Sequence, residues 1–325
     1  MSSQDHGSGE RSSRRRSSAS SSSSSSASSK SSARSASKGK AAGPLVAMLA
    51  VAVVAGFAIG AVTIMLLPSS DGRGRPGAAG AGVEEAYSNG GASGYLAPGA
   101  VQPLRLLPGP PAAGSAQDAA DRQTFLKTRA LSGTPRWSLA QADADQSVPS
   151  TLKAFSCALG VDLGPASAPA TNAMLERFAR DQAPVIEAAK AGFNRSRPFL
   201  SNPGEICIPK TDQLMRSPDY PSGHAAWGWA VALLLAEAAP DKADALLARG
   251  RVYGESRVVC GAHSASAVDA GRLVGAAMVA AVHAAPDFRS DLLASRVELT
   301  SLARSGRTPS AAACAVETQA AKVTP

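Results

Sequence analysis

From about Ser150 to Ala303 the apolar positions recur at spacings of three and four, with few β-branched alternations, so this part of the chain is predicted to be helical. Ala173–Ala191 carries Met174, Leu175, Phe178, Val185 and Ile186 on one face, adjusted near Pro184. Ser222–Ala239 is strongly apolar and closes at Pro240-Asp241. Lys242 to about Val259 continues the pattern through Leu246, Leu247, Val252 and Tyr253. Ser264–Ala285 is rich in small residues (Ala265, Ala267, Ala270, Gly271, Gly275), which fits a buried central helix that its neighbours approach closely. Asp287–Ala303 is the last amphipathic segment. The predicted class is all-α, a compact helix bundle.

Upstream the pattern is different. Residues 1–43 are mostly Ser with scattered Arg and Lys and almost nothing apolar, so they cannot offset their ordering entropy and are predicted disordered. Leu45–Leu67 is an uncharged apolar run of 23 residues. At ~1.5 Å per residue it spans a hydrocarbon layer of about 30 Å. A cleaved signal peptide would have a shorter apolar region and an A-x-A-like site, and Leu66-Leu67-Pro68 is not one. Residues 44–68 are therefore read as a signal anchor, with the basic tail cytoplasmic and the rest in the periplasm or exterior. Residues 69–94 read as a Gly/Ala/Ser/Pro tether, 95–304 as the folded domain, entered through an extended segment at Tyr95–Ser115, and 305–325 as a disordered C-terminal tail.

Charge changes this picture little. Residues 1–43 hold eight basic side chains against Asp5 and Glu10, which is +6 of the chain's net +8, so the remainder carries only +2. The basicity belongs to the tail, and nucleic acid is excluded as a partner of the folded region. The four cysteines, Cys157, Cys207, Cys260 and Cys314, permit three full pairings in an oxidising compartment, and no CxxC or His-rich spacing suggests a metal. Cys207 and Cys260 each lie near a motif described next, so a bridge between them is one candidate.

Three motifs carry the candidate chemistry: Lys190-x6-Arg197-Pro198, Pro221-Ser222-Gly223-His224, and Ser256-Arg257-x5-His263. Alone, the first reads as a solvated helix end, the second as a capped turn and the third as a structural histidine. Together they supply what phosphoryl transfer needs, which is fixed cations and N–H donors around a spreading negative charge. Lys190 offers a point charge, while Arg197 and Arg257 offer forked guanidinium groups. Ser222 and Gly223 stand where a helix begins, so their N–H groups and the Ser222 hydroxyl are candidate phosphate donors. Three cations against a dianion leave no need for a metal ion, and no cofactor is expected.

The order and spacing of these motifs, with RSRPF, YPSGH followed by GWA, and GESRVVCGAH, resembles the bacterial class A non-specific acid phosphatases of the type 2 phosphatidic acid phosphatase (PAP2) superfamily, from about Tyr95 to Ala303. The resemblance implies a helix bundle of the PAP2/haloperoxidase type. It also implies that His263 attacks phosphorus to form a phosphohistidine, and that His224 protonates the leaving alkoxide and later activates water. An acidic optimum follows, since His224 would begin protonated. Phosphomonoesters are then the expected substrates, with inorganic phosphate or vanadate as inhibitors, the membrane engaged through residues 45–67, and a second copy of the chain a conceivable partner. The rival readings are a phosphate-binding pseudoenzyme, a lipid phosphate phosphatase working at the membrane surface and, more remotely, a vanadium haloperoxidase. His6 and His283 are read as structural. Phe193 stands where relatives often have Tyr.

One position departs from the resemblance. The family carries an aspartate four residues after its nucleophilic histidine, and this chain has Ala267 there. That aspartate fixes the histidine tautomer and stabilises the imidazolium. Asp269 lies about 120° off the helical face of His263 and is better suited to Arg272, while Ser266 and Glu255 are alternative acceptors. If nothing replaces the carboxylate, turnover falls by roughly 10²–10⁴; if another group replaces it, activity is ordinary.

Overall fold

A helix that is apolar around its whole circumference has to be enclosed by other helices, and the segment GHAAWGWAVALLLAEA meets that condition. The computed structural model describes residues 93–325. Eleven α-helices follow one another among the described residues: α1 Pro103–Leu106, α2 Ala116–Thr128, α3 Pro135–Ala142, α4 Val148–Leu159, α5 Pro169–Phe193, α6 Asp212–Arg216, α7 Gly223–Ala238, α8 Ala243–Cys260, α9 Ala265–Val282, α10 Pro286–Arg304 and α11 Ala311–Ala321. No strand occurs among them, as the all-α expectation requires. Ten of the sixteen residues of α7 are buried, with α8 and α9 packed along it and α5 and α10 completing the shell.

Missing side chains let these helices approach. A Cβ at Gly271 or Gly275 of α9 would run into the backbone carbonyl of Ser222 or Ala226 on α7. A Cβ at Gly250 of α8 would collide with the Ala232 side chain. The small-residue pattern read from the sequence thus sets how close α7, α8 and α9 lie. Because Ser222 caps α7, this spacing also sets the position of the Pro-Ser-Gly-His turn.

Other elements follow their local sequence. The helix α5 runs through Pro184, whose missing N–H lies on an exposed face, and ends at Asn194 in the left-handed conformation (φ 45°). Ser115, Thr134, Ser147, Ser222 and Ser264 cap α2, α3, α4, α7 and α9, each accepting a backbone N–H three residues on. The disulfide Cys207–Cys260 joins the segment after α5 to the end of α8, and Cys157–Cys314 joins α4 to α11.

Two expectations are corrected. Residues 305–325 are not a disordered tail: α11 docks on α3, and Glu317 reaches Arg249 at 3.2 Å. The physical reason is the Cys157–Cys314 bridge, which tethers a short Ala-rich helix that could not stand alone. The entry segment is partly helical at α1, with Tyr95 anchored by its N–H to Asp181 (2.7 Å) and its hydroxyl to Asp291 (2.7 Å). The helices before residue 148 were not anticipated. The buried face of α2 is Asp121, Phe125 and Thr128, a mostly polar set without the apolar period that marks a helix in sequence.

The predicted tail 1–43 and span 45–67 lie outside the described residues. Among those described, α9 is long and apolar enough to cross a membrane, and half of it is buried within the bundle against α7. Gly275→Ala is expected to destabilise the protein by about 1–3 kcal/mol through overpacking against Ala226. Urea unfolding measures this, with Ala276→Gly, a change without that clash, as the comparison.

Candidate active site

The sequence places Lys190, Arg197, Arg257 and His263 on different segments, and the fold brings all four to one cavity of about 590 Å³, together with Gly223 and His224. Each arrives for a local reason. Lys190 lies in the last turn of α5, where its Nζ donates to Ser217 Oγ at 2.9 Å. Arg197 follows in the loop. Its Nε donates to the Ser217 carbonyl (2.7 Å) and its Nη1 to the Ala262 carbonyl (2.8 Å). Arg257 sits in the last turn of α8. Gly261 then takes the left-handed conformation (φ 80°) that glycine tolerates, and the chain turns so that the N–H groups of Ala262 and His263 return to the Arg257 carbonyl.

His263 therefore precedes α9 instead of lying on it, since Ser264 is the cap. Reading His263 and Ala267 as two positions on one helical face is corrected accordingly. The imidazole is 2 % exposed. Arg197 Nη1 is 3.1 Å from its Nε2, and a guanidinium can only donate, so Nε2 is an acceptor. The proton must then be on Nδ1, which faces the Asp219 carbonyl at 2.7 Å and the Asp219 Oδ1 at 3.0 Å. Burial first, then Arg197, Arg257 and Lys190, push the imidazole well below its ordinary pKa. It stands neutral, with Nε2 as its basic nitrogen.

Asp219 is the residue that motif reading missed. It is fully buried, and its N–H donates to the Arg195 carbonyl at 2.7 Å. The Ser264 N–H donates to Oδ1 (3.1 Å) and the Ser264 hydroxyl to Oδ2 (2.6 Å), while Arg195 Nη1 lies 3.6 Å from Oδ2. Burial pushes its carboxyl up, and the two Ser264 hydrogen bonds, then Arg195 and Arg197, oppose that. With donors on both oxygens, the carboxylate is the form its surroundings fit. The available signal was an acid one residue ahead of Tyr-Pro-Ser-Gly-His. The acceptors considered from sequence are engaged elsewhere: Asp269 with Arg272 (2.9 Å), Glu255 with Arg251 (2.5 Å), and Ser266 with Asp121 and Arg195.

His224 and Ser222 need adjustment. The His224 Nε2 donates to the Ala144 carbonyl at 2.9 Å, which leaves Nδ1 to titrate. Burial, then Arg257, hold it well below the ordinary histidine value, so it is neutral in the free site and not protonated from the start. Ser222 does not line the cavity. Its N–H is spent on the Ala267 carbonyl (2.9 Å) and its hydroxyl oxygen caps α7, so its part is to fix where Gly223 begins the helix. His283, read as structural, pairs with Glu237 at 3.1 Å away from the cavity.

Arg257 is the telling group. It is 1 % exposed, and its Nε and Nη1 have no partner among the described residues. Arg249, on the same helix, meets Asp143 (2.5 Å) and Glu317 (3.2 Å). Burial, then Arg197, lower the Arg257 guanidinium to about 10, so it stays charged at neutral pH. Lys190 and Arg197 are depressed by burial too. A cavity holding three such cations is built for an anion.

The chain also has relatives of known class. The PAP2 superfamily profile matches residues 178–291, a span that includes all three motifs. The chain is 42% identical over 219 residues to an acid phosphatase of Zymomonas mobilis, covering 67% of this chain and 83% of that protein. It is 39% identical over 195 residues to a non-specific acid phosphatase of Salmonella typhimurium (59% and 78%), and 38% over 205 residues to one of Providencia stuartii (62% and 83%). The chain belongs to the class A acid phosphatases of the PAP2 superfamily. Its membership makes it a phosphatase by class.

An acid phosphatase of this construction should spend stability on its site, because a buried charge without a partner is costly. Arg257→Met is expected to leave the ligand-free protein equally stable or more stable by about 1–3 kcal/mol. The rise in Tm on adding inorganic phosphate should disappear in the same variant. Thermal melts with and without phosphate measure both, and a large loss of stability in the ligand-free variant contradicts this view of Arg257.

Proposed function

We propose that the chain hydrolyses phosphomonoesters through a phosphohistidine on His263. The observation that carries this reading is the unpartnered, buried Arg257 guanidinium in the cavity that also holds the acceptor nitrogen of His263. In the proposed cycle, Lys190, Arg197 and Arg257 hold the phosphoryl oxygens, joined by the N–H of Gly223 at the start of α7. Nε2 of His263 attacks phosphorus as the P–O bond to the alcohol breaks, and the departing oxygen takes a proton from Nδ1 of His224. Water then attacks the phosphohistidine, giving a proton to His224. The P–N bond breaks, and inorganic phosphate leaves with His263 restored.

Because His224 is neutral in the free site, its acid form has to be created on binding. A phosphate anion offsets the field of Arg257 and lifts the His224 pKa, and lower pH supplies the proton. The sign follows: the acid form in the bound complex is lost as pH rises, so kcat declines from about pH 5 toward pH 8. Ile186, Ile208, Leu214 and Trp227 line the same cavity and provide apolar walls for the alcohol group without a recognition pattern for one particular alcohol.

Residues 45–67 are proposed as a membrane anchor that holds the phosphatase domain on the periplasmic or outer side, where the Cys157–Cys314 and Cys207–Cys260 bridges are favoured.

The deciding experiment is hydrolysis of a chromogenic phosphomonoester across pH, with rapid-quench trapping of phosphoenzyme. Wild type is expected to turn over best at acidic pH and to yield an acid-labile, base-stable phosphoenzyme. His263→Ala should lose both, by about 10³-fold or more in kcat. A wild-type protein that binds phosphate but releases none would make it a binding protein instead.

A further inference from the structure

We infer that Asp219 is the positioning residue for His263, doing from the segment ahead of α7 what an acid at position 267 would do from α9. The inference rests on the proposed phosphohistidine reading and adds to it the group that steadies the nucleophile.

The geometry points to Asp219 on several independent grounds. It offers His263 Nδ1 two acceptors from one residue, the main-chain carbonyl at 2.7 Å and Oδ1 at 3.0 Å. A carbonyl alone would hold the tautomer, but a carboxylate also offsets the positive charge that the ring acquires once Nε2 is bonded to phosphorus. The Nδ1 proton stays on the ring throughout, so no proton passes to Asp219. The carboxylate is itself held. The Ser264 N–H and hydroxyl bind it, and that hydroxyl must donate to Oδ2 because it accepts from Arg195 Nη1 (2.9 Å) and from the Ala267 N–H (3.4 Å).

Arg195 extends the support outward to Asp121 (3.0 Å) and Asp118 (3.0 Å) on α2, and Asp121 accepts the Ser266 N–H at 2.9 Å. The start of α9, the end of α5 and the polar face of α2 are therefore tied into one network with Asp219 at its centre. This accounts for the otherwise unexplained polar face of α2. It also accounts for Ala267, which is fully buried in the apolar core and needs no carboxylate.

The test compares wild type, Asp219→Asn and Ala267→Asp on one phosphomonoester, with phosphate-dependent melting as a check on folding. Asp219→Asn keeps the shape and an acceptor oxygen but removes the charge. It is expected to lower kcat by about 10²–10⁴ while KM stays within about threefold and phosphate still raises Tm. Ala267→Asp, with Asp219 in place, is expected to gain less than threefold in kcat. An Asp219→Asn variant within threefold of wild-type kcat overturns the inference, as does one that loses only KM. If Asp219→Asn does not fold, a tenfold gain in Ala267→Asp overturns it and the absence of a gain supports it. Should wild type itself release no phosphate, the phosphohistidine reading fails first, and the two failures are told apart.

Discussion

The structure depends on one uncompensated charge. Arg257 is buried with two guanidinium nitrogens unpartnered among the described residues, and its neighbours Lys190 and Arg197 are satisfied mainly by hydroxyl and carbonyl oxygens. Among the described residues the one carboxylate on the cavity wall is Glu187, which is largely exposed and stands 3.9 Å from Lys190. A fold tolerates this only where the surrounding helices cannot relax, and the close approach of α7, α8 and α9 through Gly250, Gly271 and Gly275 supplies that rigidity. The same spacing fixes the turn that starts α7 and the corner between α8 and α9, so Gly223 and His263 meet the cations in set positions. The free energy withheld from stability is available to bind the phosphoryl group.

Burial, reinforced by positive charge, also dictates the state of the histidines. Burial first and then the three cations hold His263 neutral, and because Arg197 can only donate, the lone pair is on Nε2 and the proton on Nδ1. An imidazole so placed is a nucleophile whose charge rises as it reacts. It needs a negative group behind it that does not quench the cations in front. Asp219 answers this from the Nδ1 side, held by Ser264 and Arg195 and absent from the cavity wall. His224 is governed by the same field and stays neutral until an anion arrives.

Much of this was legible in the sequence. The helices α5 and α7 through α10 announced themselves through apolar period and small residues, and the cations and both histidines through three spaced motifs. What stayed hidden depends on contacts between segments. The helix α2 buries Asp121 against Ser266 and Arg195, so its inner face looks like an outer one. The helix α11 is ordered by a bridge over a separation of 157 residues, which no local pattern encodes. Asp219 is 44 residues from His263. The sequence raised the question through Ala267 and sought the answer within nearby residues, whereas the fold brings it from the segment ahead of α7.

The most direct measurement is the protonation state of the His263 ring in the ligand-free phosphatase domain, read from long-range ¹H–¹⁵N NMR correlations at neutral pH. The account predicts a neutral ring with the proton on Nδ1, hydrogen-bonded and slow to exchange, and an unprotonated Nε2. A ring protonated on Nε2, or a doubly protonated imidazolium in the absence of any anion, would contradict it.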